Sequence, residues 1–190
     1  MNDRLNESSL IGTQIEEIHL GDYISLNDHV TFNDLTEAME KAWTERKLPR
    51  EPRSVDAVVH STGGLVIRDW LVKYCKPETA PIKRLLMLAP ANFGSPLAHT
   101  GRSVIGRAVK GWGGSKLFET GTQILKGLEL ASPYSWNLAE RDLFGEEKAF
   151  YGPGRILCTV LVGNTGYSGI SATANKPGSD GTVRVSTAGV

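Results

Sequence analysis

The chain has 190 residues, 40% of them apolar, and 21 Lys+Arg stand against 21 Asp+Glu. That length suits one domain with a real core, and the balanced charge gives no reason to expect nucleic acid or another highly charged partner. Two cysteines, Cys75 and Cys158, make neither a disulfide framework nor a metal-ligand cluster, residues 1–8 hold no apolar core of a secretion signal, and no apolar run reaches membrane-spanning length.

Ile15 to Leu26 alternates partly and is expected to be extended. Thr31 to Lys47 is the clearest helix: Phe32, Leu35, Met39, Ala42 and Trp43 recur mostly at spacings of three and four. Thr31 followed by Asp34 resembles a capping box, although Glu or Gln is usual there. Leu48-Pro49 ends the helix. Ser54 to Val59 reads as a short buried strand. A turn, His60-Ser61-Thr62-Gly63-Gly64, leads into a helix that runs to about Tyr74, with Val66, Ile67, Trp70, Leu71 and Tyr74 on its apolar face. Ile82 to Ala89 and Arg155 to Val162 are a second and a third buried strand. Continuous apolar runs suit parallel strands covered on both faces. The order predicts an α/β fold, a mostly parallel sheet flanked by helices.

Between the second and third strands lies a long interruption, residues 92–154, expected to be a cap inserted into the single domain 1–190. It is rich in glycine early on and contains helical pieces around Thr122 to Leu130 and Tyr134 to Leu143. From Gly94 to Gly127 it carries Arg102, Arg107, Lys110, Lys116 and Lys126 against one acid, Glu119. Those cations either meet an anionic substrate or a membrane surface, or simply face water; the second is the more ordinary outcome.

The chemistry is concentrated at Ser61. A serine at a strand-to-helix junction with two glycines behind it is the setting of a nucleophile elbow. The turn pushes the hydroxyl out of the sheet's end, and the glycines let the backbone pass without a Cβ clash. The Thr62 N–H falls at a helix N-terminus, where it can stabilise a developing oxyanion. The general pattern is G-x-S-x-G; here Val59 stands at the first glycine. Asp180, in the loop Gly178-Ser179-Asp180-Gly181-Thr182-Val183, lies past the third strand. Alone, Asp180-Gly181 is a plain turn. With the elbow it becomes a candidate for the acid that orients a histidine. No metal cluster and no nucleotide loop is found, since Gly63-Gly64 lacks the Lys-Ser/Thr of a phosphate loop.

His60-Ser61-Thr62-Gly63-Gly64-Leu65-Val66, the segment Leu88-Ala89-Pro90-Ala91-Asn92-Phe93-Gly94-Ser95-Pro96-Leu97-Ala98, and Asp180-Gly181-Thr182-Val183 together resemble the α/β-hydrolase superfamily, most of all bacterial lipase-like members. The resemblance spans about Ile15 to Val190. It implies hydrolysis of an ester by an acyl-enzyme, with Ser61 as nucleophile, Asp180 as acid and Thr62 in the oxyanion hole. No cofactor is implied; the partner is a small-molecule ester or a lipid, and contact of the cap with a membrane surface is a further option. The cap residues Phe93, Leu97, Trp112, Phe118, Ile124 and Leu125 either receive an acyl chain or form the cap's own small core.

The family order is Ser, acid, His, yet no histidine follows Asp180. The four histidines are His19, His29, His60 and His99. His60 is on the strand residue next to the nucleophile, and adjacent strand residues point to opposite faces. His99, in the cap, is the one that could swing toward Ser61. No His-Gly pair precedes the first strand to mark a second oxyanion donor. The expectation is therefore an internal piece of a longer hydrolase, truncated at both ends and inactive alone. An acyltransferase on the same scaffold and a non-catalytic binding module are the competing readings. The cysteines are expected to be buried free thiols, which fits a reducing, cytoplasmic setting; oligomeric state is not legible.

Overall fold

A computed structural model describes residues 14–23, 29–96, 98, 122–144, 149–165 and 177–190. The first expected element is not there over its described part: within 14–23 a 3-10 turn, Leu20–Asp22, breaks the stretch read as extended, and residues 24–26 lie outside the described residues. Gly21-Asp22 favours a turn over a ladder, and the alternation on either side is too short to override it. The first helix, α1 (Phe32–Glu45), begins as expected. The Thr31 hydroxyl accepts the Asp34 N–H at 3.3 Å, and the Asp34 carboxylate accepts the Thr31 N–H at 2.8 Å. Aspartate thus closes the capping box, and those bonds hold its carboxyl below the usual range.

Strands β1 (Val55–His60), β2 (Ile82–Leu88) and β3 (Leu157–Leu161) form one parallel sheet in the order β1-β2-β3. In register, His60 pairs with Leu88 and Leu88 with Leu161, so the three carboxyl ends lie side by side. The helix after the elbow, α2 (Gly63–Tyr74), connects β1 to β2. It is buried continuously from Gly64 to Leu71, as a helix hydrophobic on most sides must be. Leu65 and Val66 face one core cluster with Phe32, Leu35, Ile124 and Leu138. Ile67, Trp70 and Leu71 face another with Trp43, Leu85, Met87 and Ile156.

The sheet departs from expectation on its second face. Ala57, Val59, Leu85, Met87 and Val160 pack in the core that α2 shares, but burial alternates along β1 and β3. Val58, Leu157 and Leu161 are 50%, 63% and 54% exposed. The apolar runs predicted two covered faces, and among the described residues only one is covered. Among the described residues β1 pairs only with β2, and a groove of about 760 Å³ is lined in part by Val55, Ala57 and Val59 of that strand together with Ile18, Met39 and Trp43.

Within the 92–154 segment, α3 (Thr122–Gly127) and α4 (Pro133–Asp142) are the two expected helical pieces. Ser132 caps α4 by accepting the Ser135 N–H at 3.2 Å, with Pro133 at the first helical position. Helix α4 packs on α2 through a fully buried ion pair: Arg68 Nε and Nη2 donate to the two Asp142 oxygens at 2.7 and 2.9 Å. Burial works to lower the Arg68 pKa, and Asp142 overcomes it, leaving the guanidinium more firmly charged than usual. A last short helix, α5 (Val185–Ala188), follows the Asp180 loop.

Candidate active site

The turn after β1 leads directly into α2. Ser61 sits at φ +52°, a left-handed conformation rare for a residue with a side chain, and is 6% exposed. Its N–H donates to the Leu88 carbonyl at 3.0 Å, which completes the ladder with β2, and its carbonyl accepts the Gly64 N–H at 3.0 Å. Thr62 is the N-cap of α2. No described backbone carbonyl accepts the Thr62 N–H, so it is one of the orphan donors of a helix start. The Thr62 hydroxyl is buried with no hydrogen-bond partner among the described residues.

The two glycines contribute unequally. A Cβ on Gly63 would lie 3.5 Å from the Val59 Cβ, an ordinary contact. This is why valine is tolerated at the position where the general pattern has glycine. A Cβ on Gly64 would lie 2.8 Å from the Pro90 Cβ and 3.1 Å from Asn92 Oδ1. Gly64 is thus the residue that lets α2 pass under the loop after β2.

Asp180 stands two strands away. Its Oδ1 accepts the N–H groups of Thr182 and Val183, both at 2.8 Å. Gly163, two residues past the end of β3, holds its place: a Cβ there would be 3.2 Å from the Asp180 Cβ. Ser61 and Asp180 therefore both sit at the carboxyl edge of the sheet, with β2 between their strands. At strand spacings of about 4.8 Å, that is roughly 10 Å of sheet width. His60, exposed on the bare face of β1, is held below the usual histidine range by the protein mass around it, with the Asp180 charge acting in the opposite direction. His19 is exposed beside Glu17 at 3.6 Å, His29 is exposed, and His99 lies outside the described residues.

The residues that tie the two halves of the site together were not visible in the sequence. The loop after β2 clamps both. The Ala91 N–H reaches the Ser61 carbonyl at 3.4 Å, and Phe93 donates its N–H to Thr187 at 2.9 Å. Fully buried Asn92 donates to the Ala188 carbonyl at 2.7 Å. The Ser95 hydroxyl donates to the Thr182 carbonyl inside the acid loop. Arg68 adds a bond to the Asn92 carbonyl at 3.2 Å. The Gly94-Ser95 segment stands out in the sequence only as part of a resemblance; its partners Thr182 and Thr187 lie some ninety residues on, and nothing local in a sequence announces such a contact.

Of the proposed acyl-chain surface, Leu97, Trp112 and Phe118 lie outside the described residues. Ile124 is 4% exposed in the core and Leu125 packs against it, so these two belong to the core of the domain. Cys75 and Cys158 are free and partly buried, and burial pushes each thiol up to about 11. Such thiols are poor nucleophiles at neutral pH. Among the described residues no group of His, Cys, Asp and Glu could hold a metal, and no helix is long and apolar enough to cross a membrane.

No protein-family model and no curated protein matches the chain. Solved structures do. Phospholipase PlaB from Legionella pneumophila matches with a TM-score of 0.74 and 32% identity over 99% of this chain and 40% of that one. The same protein in complex with thio-NAD matches with a TM-score of 0.71 and 31% identity, over 98% and 40%. The mature lipase BlEst2 from Bacillus licheniformis shares the fold, with a TM-score of 0.53 and 15% identity over 84% and 60%. The chain thus spans under half the length of the phospholipase.

Proposed function

We propose that this chain, which has the incomplete fold of an α/β-hydrolase, carries the nucleophile and acid of a serine esterase that acts on lipid esters. The observation that supports this best is the Ser61 turn: a left-handed serine between β1 and α2, next to a helix-start N–H that no described backbone carbonyl accepts. Ser61 Oγ attacks the ester carbonyl and yields its proton to a histidine. The carbonyl oxygen becomes an oxyanion held by the Thr62 N–H, a donor of a kind worth about 3 kcal/mol. The C–O bond to the alcohol then breaks, the histidine protonates the leaving alcohol, and water releases the acyl group by the reverse sequence. Asp180 orients the histidine. Its Oδ1 is fixed by two N–H groups, and the imidazole is proposed to meet its other oxygen.

That histidine is proposed to come from polypeptide beyond these 190 residues, with further elements over the bare sheet face and the open β1 edge. Parallel sheets are covered on both faces, and an unguarded edge invites pairing. A phospholipid is the proposed substrate, after the activity in the name of the 32%-identical neighbour. Membrane-surface contact is assigned to the 92–154 segment.

Labelling with a fluorophosphonate probe tests the reading. The full-length protein should label, Ser61→Ala should abolish labelling, and Asp180→Asn should slow ester turnover by several orders of magnitude. The 190-residue chain alone should turn over little or no ester. A folded full-length protein that does not label would end the proposal.

A further inference from the structure

Asn92 is a buried polar side chain to which the ester chemistry above gives no part. It is 0% exposed, and it stands where three parts of the chain meet. Its backbone carbonyl accepts Arg68 Nη1 of α2 at 3.2 Å. Its Nδ2 donates to the Ala188 carbonyl, at the end of α5, at 2.7 Å and lies 3.4 Å from Met87 Sδ of β2. Its neighbour Ala91 donates its N–H to the Ser61 carbonyl at 3.4 Å. Asn92 Oδ1 is buried with no hydrogen-bond partner among the described residues. It lies against the start of α2, where a Cβ on Gly64 would be 3.1 Å from it.

An acceptor left idle in a core is unfavourable, so an amide retained there points to a role for its donor. The partner at 2.7 Å is a carbonyl oxygen, which only accepts, and this fixes which end of the amide faces it. Asp180 depends on that bond through its own segment. The Asp180 N–H donates to the Val183 carbonyl at 3.3 Å, the Val185 N–H to Gly178 at 2.9 Å and the Thr187 N–H to Arg184 at 3.0 Å, so the hairpin 178–184 and α5 form one piece. Val183 and Ala188 sit in the core cluster of Leu65 and Val66, but apolar burial has no direction and leaves the piece free to slide. Directional bonds fix it. They are Asn92 to Ala188, the Phe93 N–H to the Thr187 carbonyl at 2.9 Å, the Thr187 hydroxyl to the Gly94 carbonyl at 3.3 Å, and the Ser95 hydroxyl to the Thr182 carbonyl. All four involve residues 92–95, and Asn92 is the member of that run that also holds α2, through Arg68.

We propose that Asn92 is a positioning residue for the ester hydrolysis: its side-chain amide, through Ala188, holds the Asp180 hairpin at a fixed place relative to the Ser61 turn. With no exposed surface, Asn92 cannot meet the substrate. It acts through Asp180, whose carboxylate must reach the imidazole that serves Ser61, and a misplacement of about 1 Å at such a site can cost about a hundredfold in rate. This rests on the serine-esterase reading above. Asn92→Asp is the sharpest perturbation: it keeps the shape, removes the donor and sets a carboxylate oxygen against the Ala188 carbonyl. Asn92→Ala removes the donor without adding charge.

The test uses the full-length protein and a soluble p-nitrophenyl ester, with each variant assayed well below its melting temperature. Both Asn92 variants should lower kcat about a hundredfold and leave KM within about twofold of the wild type. A double-mutant cycle separates positioning from mere support of the fold. In an Asp180→Asn background the acid no longer orients the histidine, so Asn92→Ala should change kcat by less than about twofold there. A variant that simply leaves less folded protein would lose the same factor in both backgrounds. Asn92 variants with the kcat of the wild type would overturn the proposal. So would a loss that persists undiminished in the Asp180→Asn background, or a failure of both variants to fold, which would make Asn92 a support of the whole domain. Turnover unchanged by Asp180→Asn itself would remove the acid assignment and the positioning role together, whereas a slow Asp180→Asn beside unimpaired Asn92 variants removes the positioning role alone.

Discussion

Asp142→Ala is the most informative perturbation of this fold. Both partners of the Arg68–Asp142 pair are 0% exposed. Arg68 makes three hydrogen bonds, two to Asp142 at 2.7 and 2.9 Å and one to the Asn92 carbonyl at 3.2 Å. The Tyr151 hydroxyl also donates to Asp142, at 3.2 Å. Truncating Asp142 leaves a guanidinium in the interior with one bond of three, and takes the acceptor from a partly buried phenol. Breaking a buried pair from one side costs about 3–5 kcal/mol, a large part of the 5–15 kcal/mol typical of a whole domain. For a domain of this size that is roughly a 10 °C fall in melting temperature. Arg68→Met/Asp142→Leu removes both charges and keeps apolar volume, so it should stay within about 2 kcal/mol of the wild type. Urea denaturation of the four corners of the cycle measures this, with unchanged m-values confirming a comparable unfolded state. If Asp142→Ala cost under about 1 kcal/mol, or if the double variant were as damaged as the single, the pair would not be the clamp between α2 and α4 described here.

Three further outcomes are expected. Ser61→Gly should raise stability by about 1 kcal/mol in thermal denaturation, because glycine occupies φ +52° without the steric cost that serine bears. Gly94→Ala should lose about 3 kcal/mol or more: the residue sits at φ +89°, and its Cβ would fall 2.2 Å from the Glu129 backbone oxygen, which has nowhere to yield. Denaturant titration reads this directly. His60 titrates below its unfolded value in the folded chain, so the unfolded state binds its proton first. That contribution to stability is complete above the unfolded value near pH 6.5 and is lost as the pH falls from there toward the lower folded value. Comparing urea midpoints of wild type and His60→Gln at pH 7.5 and about pH 5.5 should show the wild type losing more on acidification.

Local patterns determined much of this protein. The capping box at Thr31 and Asp34, the strand-turn-helix around Ser61, the second and third strands and the helices of the 92–154 segment all follow from signals within a dozen residues: apolar periodicity, a cap, a proline, a pair of glycines. The same kind of signal failed at Ile15 to Leu26, where partial alternation met Gly21-Asp22 and a turn resulted. It also promised a sheet covered on both faces, whereas Val58, Leu157 and Leu161 are open, because an apolar run records what a strand is able to bury against and not which layer is present. Only the tertiary structure decided that Gly64, and not Gly63, is the glycine the elbow requires. It alone showed that Ser95, Asn92 and Arg68 tie α2 to the Asp180 loop and α5 through the loop after β2, and that Phe93, Trp136 and Phe144 line up. Each of these depends on atoms far apart in the chain meeting within a few ångströms, and such contacts are set by how the layers pack, a property of the whole fold with no trace in the neighbouring residues.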